Sequence, residues 1–335
     1  MPPSSPMTRA AERSLFHKAL QGLVLSGLLA GPGGVRAGED VHQWLERMNR
    51  AMRQLSYEGE LIYQHDRRVE VLSLVHTVGG GLERERITSL NGHPREVIRD
   101  NESVTCILPG MKAVSVDPRR GSGGFPSLLP LSAEELSDVY SLSLAGEGRV
   151  AGRGARILDI RPRDRLRYGH RLYLDVEQGL PLKLDMLDGE GEPIAQIMFS
   201  RLKVDPGIPY EASGPSLQTE GYSLIKHEKG AAGPMEKAFN WSFSRLPKGF
   251  RVNNQEVRRE EINGDWQEHV VVTDGLANVS VYVEKRKAGG DLEGPSRMGA
   301  VSAFGRRSGN GQITAVGEAP VETVRLIAEA VEFTP

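Results

Sequence analysis

Residues 57–117 read YEGELIYQHDRRVEVLSLVHTVGGGLERERITSLNGHPREVIRDNESVTCILPGMKAVSVD. Within this stretch YEGELIY, VEVLSLVHTV, LERERITSL, REVIRD, SVTCILP and KAVSVD follow one another with only turn residues between them. Short apolar and β-branched runs punctuated in this way predict consecutive antiparallel strands. Asn91-Gly92 predicts a tight hairpin, because both central positions of a two-residue turn need positive φ. Leu82, Arg84 and Arg86 alternate with Glu83, Glu85 and Ile87, whereas Val71-Leu72 and Leu74-Val75 are apolar on both faces. A sheet with one strongly apolar face must cover it. What covers it decides what the protein does.

Upstream, Asp40 can cap a helix running to about Leu55, with Val41, Trp44, Leu45, Met48, Met52 and Leu55 in one apolar stripe. This helix is a candidate to lie on the sheet. Residues 1–37 have the features of an export leader. Arg9, Arg13 and Lys18 precede the apolar run Ala19–Ala30, and Val35-Arg36-Ala37 offers small residues before a cleavage point after Ala37. The apolar run is short for a bilayer span; an uncleaved anchor is the alternative. No cysteine sits at its end, so a lipoprotein signal is not expected. No later segment reaches the roughly 18 apolar residues of a membrane helix. The expected destination is outside the cytoplasm, which in a Gram-negative host is the periplasm.

A chain of 335 residues can build two domains, each with its own core. Its formal charge of −2 and its 6% aromatic content argue against general nucleic-acid binding. Cys106 is the sole cysteine, so no internal disulfide can form. Its apolar setting suggests a small packing residue and not a catalytic thiol.

Beyond Asp117, the stretch PRRGSGGFPSLLP reads as a loop or lid. Ser132 with Glu135 fits a capping box for a short helix. Strands resume in RVAGRGARILDIRP, YGHRLYLDVE, LPLKLDMLD and PIAQIMFSRLKV. Residues 205–216 (DPGIPYEASGPS) read as an interdomain linker. A second domain then shows a strand from Trp241, a turn at Leu246–Phe250 and three strands, FRVNNQEVRREE, WQEHVVVTDG and ANVSVYVEKR. A hairpin turning at Gly309-Asn310-Gly311 follows, and then a final helix begins near Pro320. The expected fold is mostly β (α+β): a large half-open antiparallel β-barrel domain with covering helices, plus a smaller α+β C-terminal domain.

The eight histidines show no paired-ligand spacing, so no metal site is expected. No nucleophile motif or phosphate-binding glycine loop appears, so neither an enzyme nor a cofactor is expected. Arg153, Arg156, Arg161, Arg163, Arg165, Arg167 and Arg171 form the most unusual cluster. They suit either anionic groups such as lipid phosphates or a charged edge strand that blocks edge pairing. A meander with a covering helix and a mobile loop can enclose an apolar cavity, or the helices can simply fill it. Acyl chains in such a cavity would gain about 0.8 kcal/mol per buried methylene.

The strings LERMNRAMRQLSYEGELIY, LVHTV, ERITSLNGHPREVIRD, GLPLKLDML, LPKGF and HVVVTDGLANVSVYVE resemble the RseB/MucB family of periplasmic regulators over nearly all of the chain after its leader. The resemblance implies a large domain similar to the LolA and LolB lipoprotein carriers. It implies binding to the periplasmic part of a membrane-spanning anti-sigma factor of the RseA/MucA type, which is thereby shielded from regulated proteolysis. It further implies release by lipid or lipopolysaccharide fragments, and so negative regulation of an envelope-stress sigma factor.

On this basis residues 38–205 form the large domain, 206–220 the linker and 221–335 the C-terminal domain. Leu61, Tyr63, Leu72, Leu74 and Ile107 are assigned to a lipid cavity, and Arg161, Arg163, Arg165 and Arg167 to its headgroup. Phe304, Arg306 and Arg307 are assigned to partner docking, where a basic hairpin suits acidic partner residues. A periplasmic lipid or lipoprotein carrier is the alternative function. A homo-oligomer remains among the options.

Overall fold

The computed structural model describes residues 40–118, 133–226, 241–259, 266–285, 292–309 and 311–333. The expected leader, almost all of the loop at 118–130, Ser132 of the capping box and Asn310 of the hairpin turn lie outside these residues. Residues Asp40–Pro335 form one compact unit.

The chain opens with helix α1 (Val41–Gln54), whose N-cap Asp40 accepts a hydrogen bond from the His42 amide at 3.0 Å. Twelve strands build the large sheet: β1 (Tyr57–His65), β2 (Arg68–Gly79), β3 (Leu82–Ser89), β4 (Glu96–Arg99), β5 (Ser103–Leu108), β6 (Ala113–Pro118), β7 (Tyr140–Val150), β8 (Arg153–Pro162), β9 (Gly169–Asp175), β10 (Pro181–Leu187), β11 (Pro193–Val204) and β12 (Ser223–Lys226). Their order is β12-β6-β5-β4-β3-β2-β1-β11-β10-β9-β8-β7. Every pairing is antiparallel except that of β12 with β6. The ladder ends at β12 and β7, so the sheet is half-open and not a closed barrel. A short helix α2 (Ala133–Ser137) precedes β7.

The register defines two faces, since directly paired residues point the same way. The inner face carries Leu61 paired with Leu72 and, one row along, Leu74 paired with Ile87. Another row runs from Tyr63 through Ile197, Leu184 and Leu172 to Leu158. Helix α1 covers this face. Trp44, Leu45 and Met48 pack with Leu158, Ile160, Leu172 and Leu174, while Ala51 packs with Leu61, Leu72 and Leu74. Each fully buried side chain of this kind contributes about 1.5–3 kcal/mol, so α1 is fastened along its whole length.

The smaller sheet contains β14 (Arg251–Arg259), β15 (Trp266–Thr273), β16 (Asn278–Lys285), β17 (Gly294–Met298), β18 (Val301–Ser308) and β19 (Gly311–Gly317), after the short strand β13 (Trp241–Phe243). Its order is β14-β15-β16-β19-β18-β17. Helix α3 (Val321–Glu329) buries Val324, Ile327 and Ala328 against this sheet, and β20 (Val331–Phe333) pairs with β13.

Three local readings differ from the sequence expectation. The connection at Asn91-Gly92 is six residues long, and only Gly92 has positive φ (70°). Asn91 uses its side chain instead, accepting from the Val71 amide at 2.8 Å and donating to the Val69 carbonyl at 2.9 Å. Residues 223–226, expected at the start of the small domain, add a strand to the large sheet beside β6. The linker is a strap fastened to the outer face. Ser213 bonds Thr77 between hydroxyls at 2.6 Å, Arg86 donates to the Gly214 carbonyl at 2.6 Å, and the Ser216 amide donates to buried Glu96 at 2.9 Å.

Candidate functional site

Where the two sheets meet, the sequence places charge, aromatics and glycine together. The loop after β8 carries Arg167, and the turn after β15 carries Asp274; both side chains have no solvent exposure. Arg167 Nε donates to Asp274 Oδ2 at 2.6 Å, and Tyr140 donates its hydroxyl to the same oxygen at 2.9 Å. The other oxygen, Oδ1, accepts the amides of Leu276 at 3.0 Å and Ala277 at 2.8 Å. Arg167 also reaches Asp164 and the Lys248 carbonyl, and its guanidinium lies 4.8 Å from the Phe250 ring centre. Burial, followed by the charge of Asp274, pushes the Tyr140 phenol far above its ordinary value. A charge pair without water is tolerable only when its hydrogen bonds are satisfied, and here both partners are well supplied.

Apolar contacts surround the pair. Leu276 of the small sheet packs into the cluster beneath α1, and Ala300 packs with Tyr168 and Ala195. Thr323 at the start of α3 donates to the Leu166 carbonyl at 2.6 Å. Gly249, with φ of 85°, leaves no room for a side chain: a Cβ there would sit 2.6 Å from Val139 and 2.9 Å from Arg167.

Beside this junction lies a groove of about 540 Å³ between the sheets, lined by Gln64, His65, Asp66 and residues 193–196 on one wall and by Arg297, Met298 and Gly299 on the other. The walls approach at Gly299, whose ideal Cβ position is 2.9 Å from an Asp66 carboxylate oxygen. Tyr63 stacks on the lining residue His65, ring centres 4.8 Å apart, and burial followed by Glu318, Glu70 and Asp66 raises its phenol pKa. Met298 is 58% exposed, so an apolar contact is on offer at the groove. The lining combines backbone, amide, imidazole, carboxylate and guanidinium groups with apolar surface, a mixture suited to a peptide segment. Among the described residues no cluster of His, Cys, Asp and Glu could hold a metal.

The residues assigned from the sequence fall in several places. Leu61, Leu72 and Leu74 share the inner face but are packed under α1. The void beside Leu61, lined also by Leu184 and Phe199, holds only about 10 Å³, at the lower limit for one water. Tyr63 lies on that face but also packs with the cluster of Tyr168, Ala195 and Ala300 at the junction. Ile107 is a correction. It pairs with Glu96, and Glu96 with Thr88, which puts it on the outer face, because a one-residue offset reverses a strand side chain.

The arginine assignment is corrected in two ways. Arg161 shares the outer face with Asp159, which it contacts at 2.9 Å, so it cannot sit over tails on the inner face. Arg167 is the buried junction residue and is closed to any headgroup. Arg163 and Arg165 are exposed, and Arg163 donates to the Ser137 and Tyr140 carbonyls at 3.1 and 3.0 Å.

In the docking set, Phe304 packs against the small-domain core. Arg306 donates to the Ala328 carbonyl at 2.9 Å and to the Val331 carbonyl, so its guanidinium is engaged in capping the end of α3. Arg307 pairs with Glu293 and keeps 48% of its side-chain exposure. The sequence reading missed Arg297, Met298 and Asp274. The signal available for Asp274 was its place in an Asp-Gly turn between two apolar strands.

The MucB/RseB N-terminal domain model matches residues 40–220, and the MucB/RseB C-terminal domain model matches residues 235–332. The sigma factor AlgU regulatory protein MucB of Pseudomonas aeruginosa is 31% identical over 316 residues, covering 91% of this chain and 94% of that protein. The sigma-E factor regulatory protein RseB of Escherichia coli K12 is 26% identical over 296 residues, covering 86% and 89%. The crystal structure of MucB in complex with MucA(peri) superposes with a TM-score of 0.68 at 27% identity, over 88% of this chain and all of that one. The complex structure of Pseudomonas aeruginosa MucA/MucB gives 0.69 at 26% identity, over 89% and all.

Proposed function

Because the chain belongs to the MucB/RseB family, we propose that it is a negative regulator of an envelope-stress sigma factor, acting by binding and not by catalysis. It binds the periplasmic region of a membrane-spanning anti-sigma factor and shields that region from regulated proteolysis. Its place of action is the periplasm, reached through the leader read in residues 1–37. The observation that carries this reading is the two-domain match in the same order along the chain, together with MucB structures that contain MucA and cover 88% or more of this chain. The groove beside the sheet junction supports it, with a polar lining and an exposed Met298 fit for a peptide.

Lipid or lipopolysaccharide fragments release the partner. An acyl chain entering beneath α1 displaces side chains that now pack on Leu61, Leu72 and Leu74. The small void beside Leu61 counts against a permanently open carrier cavity. By linkage, lipid weakens partner binding by the same factor by which partner weakens lipid binding.

The test is calorimetric titration of residues 38–335 with the periplasmic segment of the host's RseA/MucA-like protein, with and without lipopolysaccharide fragments. Tight binding that weakens with lipid is expected. No partner binding overturns the regulatory reading. Unchanged partner affinity at saturating lipid overturns the lipid switch alone.

A further inference from the structure

Eight large apolar side chains stay exposed among the described residues, and four of them sit on one rim of the large sheet. Val69 (51%) opens β2, Leu90 (53%) follows β3, Met111 (74%) lies in the turn between β5 and β6, and Leu224 (57%) is at the start of β12. Because β2, β4 and β6 run one way and β3 and β5 the other, these positions fall at the same end of the sheet. Backbone contacts tie them in pairs. The Leu90 amide donates to the Val71 carbonyl at 2.8 Å, and the Ser223 amide donates to the Lys112 carbonyl at 2.8 Å. Five strand spacings separate β2 from β12, so the row spans about 24 Å at about 4.8 Å per strand.

Basic side chains stand among these tips. Arg67, Arg68 and Lys112 are exposed, and Arg95 keeps 49% of its side-chain exposure while paired with Glu70. The acidic groups that reach solvent at the same end of these strands are Asp66, Glu70 and, just before β12, Glu220; Glu96 at the start of β4 is buried against Arg86 and Ser216. The rim is therefore mildly positive on a chain whose formal net charge is negative. The apolar residues project singly from turns and strand ends and do not line a groove. A protein interface core needs contiguous, closely complementary surface. Separate apolar tips with arginine and lysine between them suit insertion at the headgroup level of a bilayer containing anionic lipid.

We propose that this rim is a peripheral membrane-docking surface for anionic phospholipid bilayers. Val69, Leu90, Met111 and Leu224 enter the interface, and Arg67, Arg68 and Lys112 meet lipid phosphates. The surface is separate from the inner face beneath α1 and needs no protein partner. Docking would raise the local concentration of the groove around any partner held in the same membrane.

The experiment is co-sedimentation of residues 38–335 with vesicles of 70:30 phosphatidylethanolamine and phosphatidylglycerol, with phosphatidylcholine vesicles as the reference. Binding to the anionic vesicles above the reference is expected. Met111→Asp with Leu224→Asp should lower the partition coefficient at least about tenfold, by removing inserted apolar area and adding repelled charge. Lys112→Glu should lower it by fivefold or more, since one basic residue near such a surface is worth about fivefold. Leu82→Asp, at the other end of the sheet and 50% exposed in the parent, should leave it unchanged. If the double variant fails to fold, Arg67→Glu with Lys112→Glu carries the same test. Absence of anionic-vesicle binding overturns the proposal, as does equal binding by parent and rim variants. Concentration-dependent self-association that the double variant abolishes, without vesicle binding, would assign the rim to contacts between copies and overturn it too. Each of these outcomes is read without the anti-sigma segment, so it is distinct from failure of the regulatory reading.

Discussion

At Arg167 one guanidinium with no solvent exposure holds Asp274, Asp164 and a carbonyl of the small domain. Removing one member of a buried pair strands the other, at about 3–5 kcal/mol, whereas replacing both with apolar groups costs far less. Arg167→Met should therefore lower stability in urea unfolding by about 3–5 kcal/mol, and Arg167→Met with Asp274→Asn, which removes the charge but still accepts the Leu276 and Ala277 amides, by clearly less. Equal losses would mean that the pair is not a coupled unit.

A second residue sets the acid response. His170 is buried on the inner face with Nδ1 unpartnered, and burial holds its pKa down at about 4, opposed by the charge of Asp274. The unfolded state thus binds a proton that the folded state refuses. The resulting stability is fully present above about pH 6.5 and is lost as pH falls toward 4. Its full extent is about 3 kcal/mol. Asp159, held below the ordinary carboxylate range first by its bond from Arg171, gives up its contribution only at more acid pH. Urea midpoints at pH 7 and pH 4.5 should converge in His170→Leu and stay apart in the parent.

At the scale of elements, much was legible. Asp40 and the apolar stripe predict α1, and the structure returns Val41–Gln54. The alternating runs of residues 57–117 become β1–β6. What escaped was set by distant partners. The strand β12 forms against β6, more than a hundred residues earlier, and its own sequence carries no such instruction. Ile107 is apolar whichever way it points, so composition could not tell its face; the ladder with Glu96 does. Gly249 is an element-scale constraint of the same kind. Gly249→Ala meets both positive φ and the side chains of Val139 and Arg167, whereas Gly92→Ala meets only positive φ. Gly92→Ala should cost about 1 kcal/mol, and Gly249→Ala should lower the thermal midpoint by more than Gly92→Ala does.

Over the whole molecule, the two sheets share a junction of apolar and ionic contacts, and the groove lies beside it, with Ala195 common to both. Gly299 is where the walls are tightest, against Asp66. Gly299→Val should push them apart and weaken anti-sigma segment binding by about tenfold, or about 1.4 kcal/mol. Calorimetry on the variant checks this, and unchanged affinity would place the partner elsewhere.

Sequence by itself determined the strand-rich class, the covering helix, the two-domain order and the family, because periodicity, capping and motif strings are local properties of the chain. Only the tertiary structure decided which arginine is buried, which face each apolar residue takes, and where the groove lies. Those depend on register and on contacts between residues more than a hundred positions apart, such as Arg167 with Asp274. A salt bridge of that kind has no local signature: an arginine in a basic run looks the same whether it meets water, a phosphate or a buried carboxylate.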